Sequence, residues 1–218
     1  MILKKIKKLK RLIANYNLDG YIIPKNDAYF AEYSFPNRLK TISNFSGSAG
    51  FAIILNNENY LFVDGRYTLQ AKIESGKYFK IIEIPKLWPK DIFKKYKTKL
   101  SIGFDPQLFT NRILINYFDS ICNLLPIKEN LIDQIYKEKN KSYVNYYYNL
   151  NNKIAGESIN LKINRLLKKI KLKNIDNIFI SAPENVAWLL NIRGGDGPNS
   201  PIPNSRLIIS KTKKIFLI

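Results

Sequence analysis

Residues 41–70 read TISNFSGSAGFAIILNNENYLFVDGRYTLQ, a glycine-rich loop followed by two short apolar runs and an Asp-Gly-Arg turn. Phe51 to Leu55 and Tyr60 to Val63 are rich in apolar and β-branched side chains, and the polar Asn56, Asn57, Glu58 and Asn59 between them predict the loop of a β-hairpin. Asp64-Gly65 ends the second strand. From Arg66 the apolar residues move to Tyr67, Leu69, Ala71 and Ile73, a spacing that predicts a half-buried helix with the arginine at its start. Ends of strands are where open α/β sheets place ligand contacts, so Arg66 is the first candidate binding residue.

Outward from this stretch, the patterning predicts helices over 2–15, 66–75, 89–97 and 110–122. Strands are predicted over 20–24, 79–84 and 101–104, with a short one near 124–127. Helices alternating with strands imply a layered α/β domain. The hairpin inside it points to a mixed sheet and away from a doubly wound nucleotide-binding pattern.

A repeat appears in the second half. Asn17-Leu18-Asp19-Gly20-Tyr21-Ile22-Ile23 and Asn174-Ile175-Asp176-Asn177-Ile178-Phe179-Ile180 lie 157 positions apart, each after a helix-spaced segment. Each is followed at the same distance by an acid, Asp27 or Glu184. Leu207 to Ile218 again reads as strand, polar turn, strand. The expected organisation is a first domain over 1–136, a polar, tyrosine-rich connection over 137–156, and a truncated second domain of similar fold over 157–218. A sheet cut after its first hairpin leaves an edge and apolar surface uncovered, so the sequence reads as a fragment of a longer protein.

Composition sets outer bounds. At 218 residues with 45% hydrophobic and 13% aromatic side chains, the chain is too apolar for disorder, and no run approaches the roughly 20 apolar residues of a membrane span. The opening MILKKIKKLKRLIA interleaves lysine with Ile2, Ile6, Leu9 and Ile13 at helical spacing, unlike a secretory signal, and predicts an amphipathic helix packed on the sheet. The net charge of +19 raises a nucleic-acid reading. However, the lysines are spread over every solvent-facing stretch, with no clustered binding face. Cys122, the one cysteine, excludes an intrachain disulfide and fits a reducing cytoplasm.

The chain has no histidine, so imidazole is removed as metal ligand, general base and activator of a nucleophile. Ser48, within Ser46-Gly47-Ser48-Ala49-Gly50, lacks the first glycine of a nucleophile elbow, and the loop lacks the Gly-Lys-Ser/Thr ending of a phosphate-binding loop. Its glycines serve a tight turn. Cys122 sits among Ile121, Leu124 and Leu125 as a core thiol, and Trp188, spaced with Val186 and Leu189, reads as core. Asp105, Asp119, Asp133 and Glu138 lack ligand spacing and read as turn, cap or surface residues. For Arg66 two readings stand: a guanidinium oriented by Asp64 to hold a carboxylate or carbonyl, or an Asp64–Arg66 pair that closes the helix N-terminus. Arg193, with Asp196 on a Gly/Pro/Asn loop, is a second candidate.

In combination these motifs resemble the N-terminal region of the Xaa-Pro aminopeptidases (aminopeptidase P), in the creatinase/prolidase group of metallopeptidases. The resemblance is carried by Tyr21-Ile22-Ile23-Pro24 with Asp27-Ala28 and Glu32-Tyr33, by Phe45 to Gly50, and by Val63-Asp64-Gly65-Arg66-Tyr67. Lys128 to Asp133 and Ala187 to Gly194 continue it, over nearly the whole chain. It implies the creatinase N-terminal, ribonuclease H-like mixed sheet followed by an incomplete second copy, in a cytoplasmic enzyme that removes the residue before a proline. The implied cofactors are two metal ions, usually manganese, bridged by Asp, His and Glu of a C-terminal catalytic domain, with no ligand among these residues, so that this chain alone should be inactive. Arg66 is then a substrate-peptide contact that binds without catalysing. Arg193 and Asp196 are contacts to the catalytic domain. Family members are often dimers, though no interface is legible in these residues. Two departures stand out: Tyr29 occupies a position that is commonly histidine, and the loop 197–204 follows only some members. Two competing functions are a free-standing basic nucleic-acid-binding module and the N-terminal part of a creatinase-like amidinohydrolase.

Overall fold

The structure is a computed structural model and describes residues 2–30, 36–136, 146–197 and 199–218. The chain divides into two compact units, one of Met1–Ala28 with Ser34–Lys139, the other of Tyr29–Tyr33 with Asn140–Ile218.

The first unit contains α1 (Ile2–Asn15), β1 (Gly20–Pro24), α2 (Arg38–Ser43), β2 (Phe51–Leu55) and β3 (Asn59–Asp64). These are followed by α3 (Thr68–Ser75), β4 (Lys80–Ile84), α4 (Pro89–Phe93), β5 (Ser101–Phe104), α5 (Asn111–Phe118), β6 (Asn123–Pro126) and α6 (Leu131–Ile135). Six strands form one mixed sheet in the order β4-β3-β2-β1-β5-β6. The β1–β2 and β2–β3 pairs are antiparallel, while β3–β4, β1–β5 and β5–β6 are parallel. The expected mixed sheet with flanking helices is therefore the observed one.

Side-chain alternation along the strands divides the core in two. Tyr21, Ile23, Ala52, Ile54, Leu61 and Val63 face one way and pack with Ile6, Leu9 and Ile13 of α1 and with Leu131 and Ile132 of α6. Ile22, Phe51, Ile53, Tyr60, Phe62 and Ile102 face the other, against Phe93, Leu114 and Phe118. The basic helix at the start of the chain thus buries its apolar stripe on the sheet, as its spacing predicts. No described helix is long and apolar enough to cross a membrane.

Element ends differ from the sequence expectation for local reasons. The helix expected over 110–122 stops at Phe118 because Asp119 and Ser120 both have positive φ, and Asp119 N closes the end on Ile115 O at 2.8 Å. The helix expected over 89–97 ends at Phe93, after which the chain tightens into i→i+3 turns, with Lys95 N donating to Ile92 O at 3.4 Å and Tyr96 N to Phe93 O at 3.0 Å. The helix expected from Arg66 opens with a 3-10 turn, Gly65–Tyr67. Two short helices, α2 and α6, have no periodic signature. Each is started by an asparagine: Asn37 Oδ1 accepts from Lys40 N at 3.0 Å, and Asn130 Oδ1 accepts from Ile132 N at 3.0 Å.

The second unit holds β7 (Tyr147–Asn149), α7 (Asn152–Ala155), α8 (Ile159–Leu172), β8 (Asn177–Ile180), α9 (Pro183–Leu190), β9 (Ile192–Gly194), β10 (Leu207–Ser210) and β11 (Ile215–Leu217). Of the stretch 137–156 expected as a connection, residues 137–145 lie outside the described residues, and the remainder carries β7, paired with β9, and α7. β8, β10 and β11 form an antiparallel sheet in the order β11-β10-β8. This arrangement repeats β1, β2 and β3. α8 repeats α1 with the same 157-residue offset at both ends. Its Ile163, Leu167 and Ile170 join Val186, Leu189, Leu207 and Ile209 in a separate core.

Candidate functional site

The Asp-Gly-Arg turn is built from the end of β3. Asp64 caps the following 3-10 turn by accepting Arg66 N at 2.9 Å, and its carboxylate also accepts Arg66 Nε at 3.2 Å and Nη2 at 2.8 Å. The Arg66 side chain hydrogen bonds hold the Asp64 carboxyl below the usual range. Arg66 itself is surface-presented, its side chain 73% exposed, with the guanidinium carbon 5.2 Å from the centre of the Tyr67 ring.

The glycine-rich loop meets this turn through Tyr67 and α3. Ser48 Oγ and Tyr67 OH are 2.8 Å apart, and the Phe45 ring stands edge-on to Tyr67 at 5.8 Å. Ser46 donates its N–H and its hydroxyl to Glu74, each at 2.7 Å, and Gln70 Nε2 donates to Ser46 Oγ at 2.8 Å. Partial burial works to raise the Glu74 carboxyl, but these donors outweigh it, leaving its pKa below the usual value. Gly50 has φ +149°, and a Cβ there would lie 2.8 Å from Phe62 O, so the close passage of the loop over β3 requires glycine. Ser48 thus has a tyrosine hydroxyl as its partner, and the loop's geometry is that of a tight turn.

The remaining candidates take structural partners. Asp105 accepts Gln107 N at 2.9 Å and Asn130 Nδ2 at 2.9 Å, Asp119 ends α5, and Asp133 forms a two-pronged pair with Arg38 at 2.8 and 2.7 Å. Glu138, and Glu32-Tyr33 of the sequence motif, lie outside the described residues. Cys122 is buried, and desolvation pushes its thiol up to about 12. Among the described residues no group of three or more His, Cys, Asp or Glu is placed to hold a metal ion, so the described side chains do not fit a metal pair.

In the second unit Arg193 lies on β9 opposite Tyr148, its Nη1 donating to Ile192 O at 2.8 Å. Asp196 accepts Asn204 N at 2.7 Å and pins the long loop. Tyr29 lies under the Arg206 guanidinium at 5.0 Å. Trp188 corrects an expectation: it is 53% exposed. The buried side of α9 is formed by Val186, Ala187 and Leu189, and the indole turns outward to lie 4.3 Å from the Lys162 ammonium. Lys162 is itself a residue that sequence reasoning missed. It is 3% exposed and donates to Trp188 O at 2.7 Å and Asn191 Oδ1 at 2.6 Å, and burial lowers its pKa. The available signal was Lys5, at the same place in the repeat. A second missed cluster is Glu58, treated as hairpin loop, which gathers Lys80, Lys95, Tyr60 and Tyr96 around one carboxylate.

Comparison with known proteins converges on one family. "Probable Xaa-Pro aminopeptidase P" of Laccaria bicolor is 30% identical over 99% of this chain and 35% of its own length. "Xaa-Pro aminopeptidase 1" of Dictyostelium discoideum is 30% identical over 100% of this chain and 38% of its own. The chain therefore spans little more than a third of these curated relatives. The crystal structure of X-prolyl aminopeptidase from Caenorhabditis elegans, a cytosolic enzyme with a di-nuclear active site, matches 100% of the chain with TM-score 0.88 at 27% identity, over 38% of its own length. The sequence profile of the creatinase/prolidase N-terminal domain matches residues 5–135, and a second profile of that description matches residues 138–218. Since the first of these alone covers more than half of the residues, the chain belongs to the creatinase/prolidase N-terminal domain family.

Proposed function

We propose that these residues are the N-terminal, non-catalytic region of a metal-dependent Xaa-Pro aminopeptidase, with 1–136 and 157–218 acting as successive domains. The observation that carries the reading is the match of the whole chain to just over a third of the C. elegans enzyme. The chemistry would reside in a different part of the protein. Two divalent ions, manganese by family resemblance, would there activate the water that attacks the bond before proline. The enzyme would act in the cytoplasm, and homodimers are common in the family. Arg66 contributes recognition: Asp64 holds one edge of an exposed guanidinium, a geometry suited to a peptide carbonyl or carboxylate. Arg193 and Asp196, on β9 and its pinned loop, would contact the catalytic domain.

Two assays test this reading. The 218-residue chain alone should not hydrolyse an Xaa-Pro peptide, and hydrolysis that survives repurification and responds to substitutions within the chain would overturn the non-catalytic assignment. In the protein expressed at the relatives' length, Arg66→Ala should lower kcat/KM about 10- to 100-fold, mostly through KM, as expected for loss of a charge-assisted hydrogen bond. An unchanged kcat/KM rejects the role of Arg66.

A further inference from the structure

The glycine-rich loop, residues 45–50, is fastened to the helix that follows Arg66. Glu74 on α3 accepts the Ser46 N–H and hydroxyl, each at 2.7 Å, and Gln70, one turn earlier, donates to Ser46 Oγ at 2.8 Å and to Glu74 Oε1 at 3.1 Å. The loop also wraps its own phenylalanine. Phe45 is fully buried, and a Cβ on Gly47 would lie 2.3 Å from Phe45 Cζ, so only glycine lets the backbone pass this close to the ring. Both parts of the loop reach Tyr67: its hydroxyl is 2.8 Å from Ser48 Oγ, and its ring meets Phe45 at 83° with centroids 5.8 Å apart. The Tyr67 ring is thus held at two points by a separate segment of the chain, and the Arg66 guanidinium lies over this ring at 5.2 Å.

We propose that Tyr67 is a positioning residue for Arg66 and that the glycine-rich loop acts on substrate recognition by clamping Tyr67, an inference that rests on the assignment of Arg66 to the peptide substrate. A long arginine side chain at the surface settles into one pose only where its neighbours restrict its rotamers. Asp64 takes the Nε and Nη2 donors and fixes one edge of the guanidinium. The Tyr67 ring limits how far the guanidinium swings about that edge, through the attraction of a cation for an aromatic face. A ring on the adjacent residue would itself be free to turn. Ser48 and Phe45 remove that freedom, which couples the loop and the Asp-Gly-Arg turn into one site. Tyr67 acts through the arginine and makes no contact of its own with the peptide.

The pose of Arg66 is read by nuclear magnetic resonance of its Nε–H group in the 218-residue chain labelled at arginine nitrogen, the resonance being assigned by its loss in Arg66→Lys. The ring current of Tyr67 should displace this resonance, and Tyr67→Leu should return it towards the position of an unrestrained arginine. A resonance unmoved by Tyr67→Leu overturns the proposal. Tyr67→Phe and Ser48→Ala keep the ring and break only its hydroxyl bond, so each should move the resonance part of the way even if Tyr67→Leu fails to fold. Both left unmoved overturns the clamp. In the protein expressed at the relatives' length, Tyr67→Leu should raise KM about 2- to 5-fold with kcat unchanged, the worth of an exposed cation–π contact, and should have no effect once Arg66 is already alanine. An unchanged KM with Arg66 present, or the same rise with Arg66 removed, overturns the positioning role. If Arg66→Ala itself leaves kcat/KM unchanged, the recognition reading fails instead, and the Arg66 resonance still decides whether Tyr67 holds the guanidinium.

Discussion

Lys5 and Lys162, 157 positions apart, both donate to a helix carbonyl of their own unit, Lys5 to Thr41 O of α2 at 3.1 Å and Lys162 to Trp188 O of α9 at 2.7 Å. Trp188 O lies in the last turn of α9, where it also accepts the cap N–H of Asn191 at 3.4 Å and where the helix dipole favours a cation. Lys162 therefore acts as a buried C-terminal cap. Lys162→Met keeps most of the volume but leaves Trp188 O and Asn191 Oδ1 without this donor. The expected loss in the urea unfolding free energy is about 1–3 kcal/mol, and an unchanged midpoint would reject the capping role.

The Arg38–Asp133 pair ties α2 to α6. Arg38 is mostly covered while Asp133 is about half exposed, which tempers the cost of breaking the pair through solvent screening. Asp133→Ala should destabilise the first unit by about 1–2 kcal/mol, more than a solvated ion pair would. Chemical denaturation followed through Trp88 reports on this unit, and a change below about 0.3 kcal/mol, at the low end for exposed pairs, would place this bridge with the unproductive ones.

Glu58 supplies a pH signature. Hydrogen bonds from Lys80, then from Lys95 and Tyr60, hold its carboxyl far below the usual glutamate range. A depressed carboxylate contributes stability that is fully present above its unfolded pKa and is lost as pH falls towards the folded value. Unfolding free energy should therefore decline below about pH 4.5, and Glu58→Gln should flatten that decline while lowering stability at pH 7. Parallel pH profiles for the two proteins would show that the cluster does not contribute to acid sensitivity.

Cys122 should be inert. With its thiol pushed up to about 12 by burial, it carries almost no thiolate at neutral pH. Reaction with a disulfide reagent at pH 8 should proceed only as fast as the unit opens and should become rapid in denaturant. Fast labelling of the native chain at pH 8 would contradict the buried placement.

Arg66 and Asp64 can be separated by stability. Arg66→Ala removes a mostly exposed side chain and should change the unfolding free energy by no more than about 0.5 kcal/mol, whereas Asp64→Ala also removes the cap on Arg66 N and should cost about 1 kcal/mol. Calorimetry of both variants checks this. A large loss from Arg66→Ala would make it a structural residue, leaving no need for a binding role.

What the sequence by itself determined are the features that depend on near neighbours. The apolar runs of β1, β2 and β3, the 3.6-residue stripe of α1 and the Asp64 turn are set by side chains within a few positions of one another, and they are legible in the chain, as is the 157-residue repeat of such local patterns. The Asp64–Arg66 contact is equally local. Its association with Ser48 through Tyr67 is not, because it needs the loop folded back over β3. Only the tertiary structure decided where α2 and α6 form, since five or six residues hold a helix through a cap and a packing partner and not through periodicity. It also decided that Trp188 faces outward, that Lys162 is buried, and that Glu58 gathers cations and hydroxyls from three separate segments. In each of these cases the energy lies in contacts between residues distant in the chain, and a one-dimensional pattern does not encode which distant groups will meet.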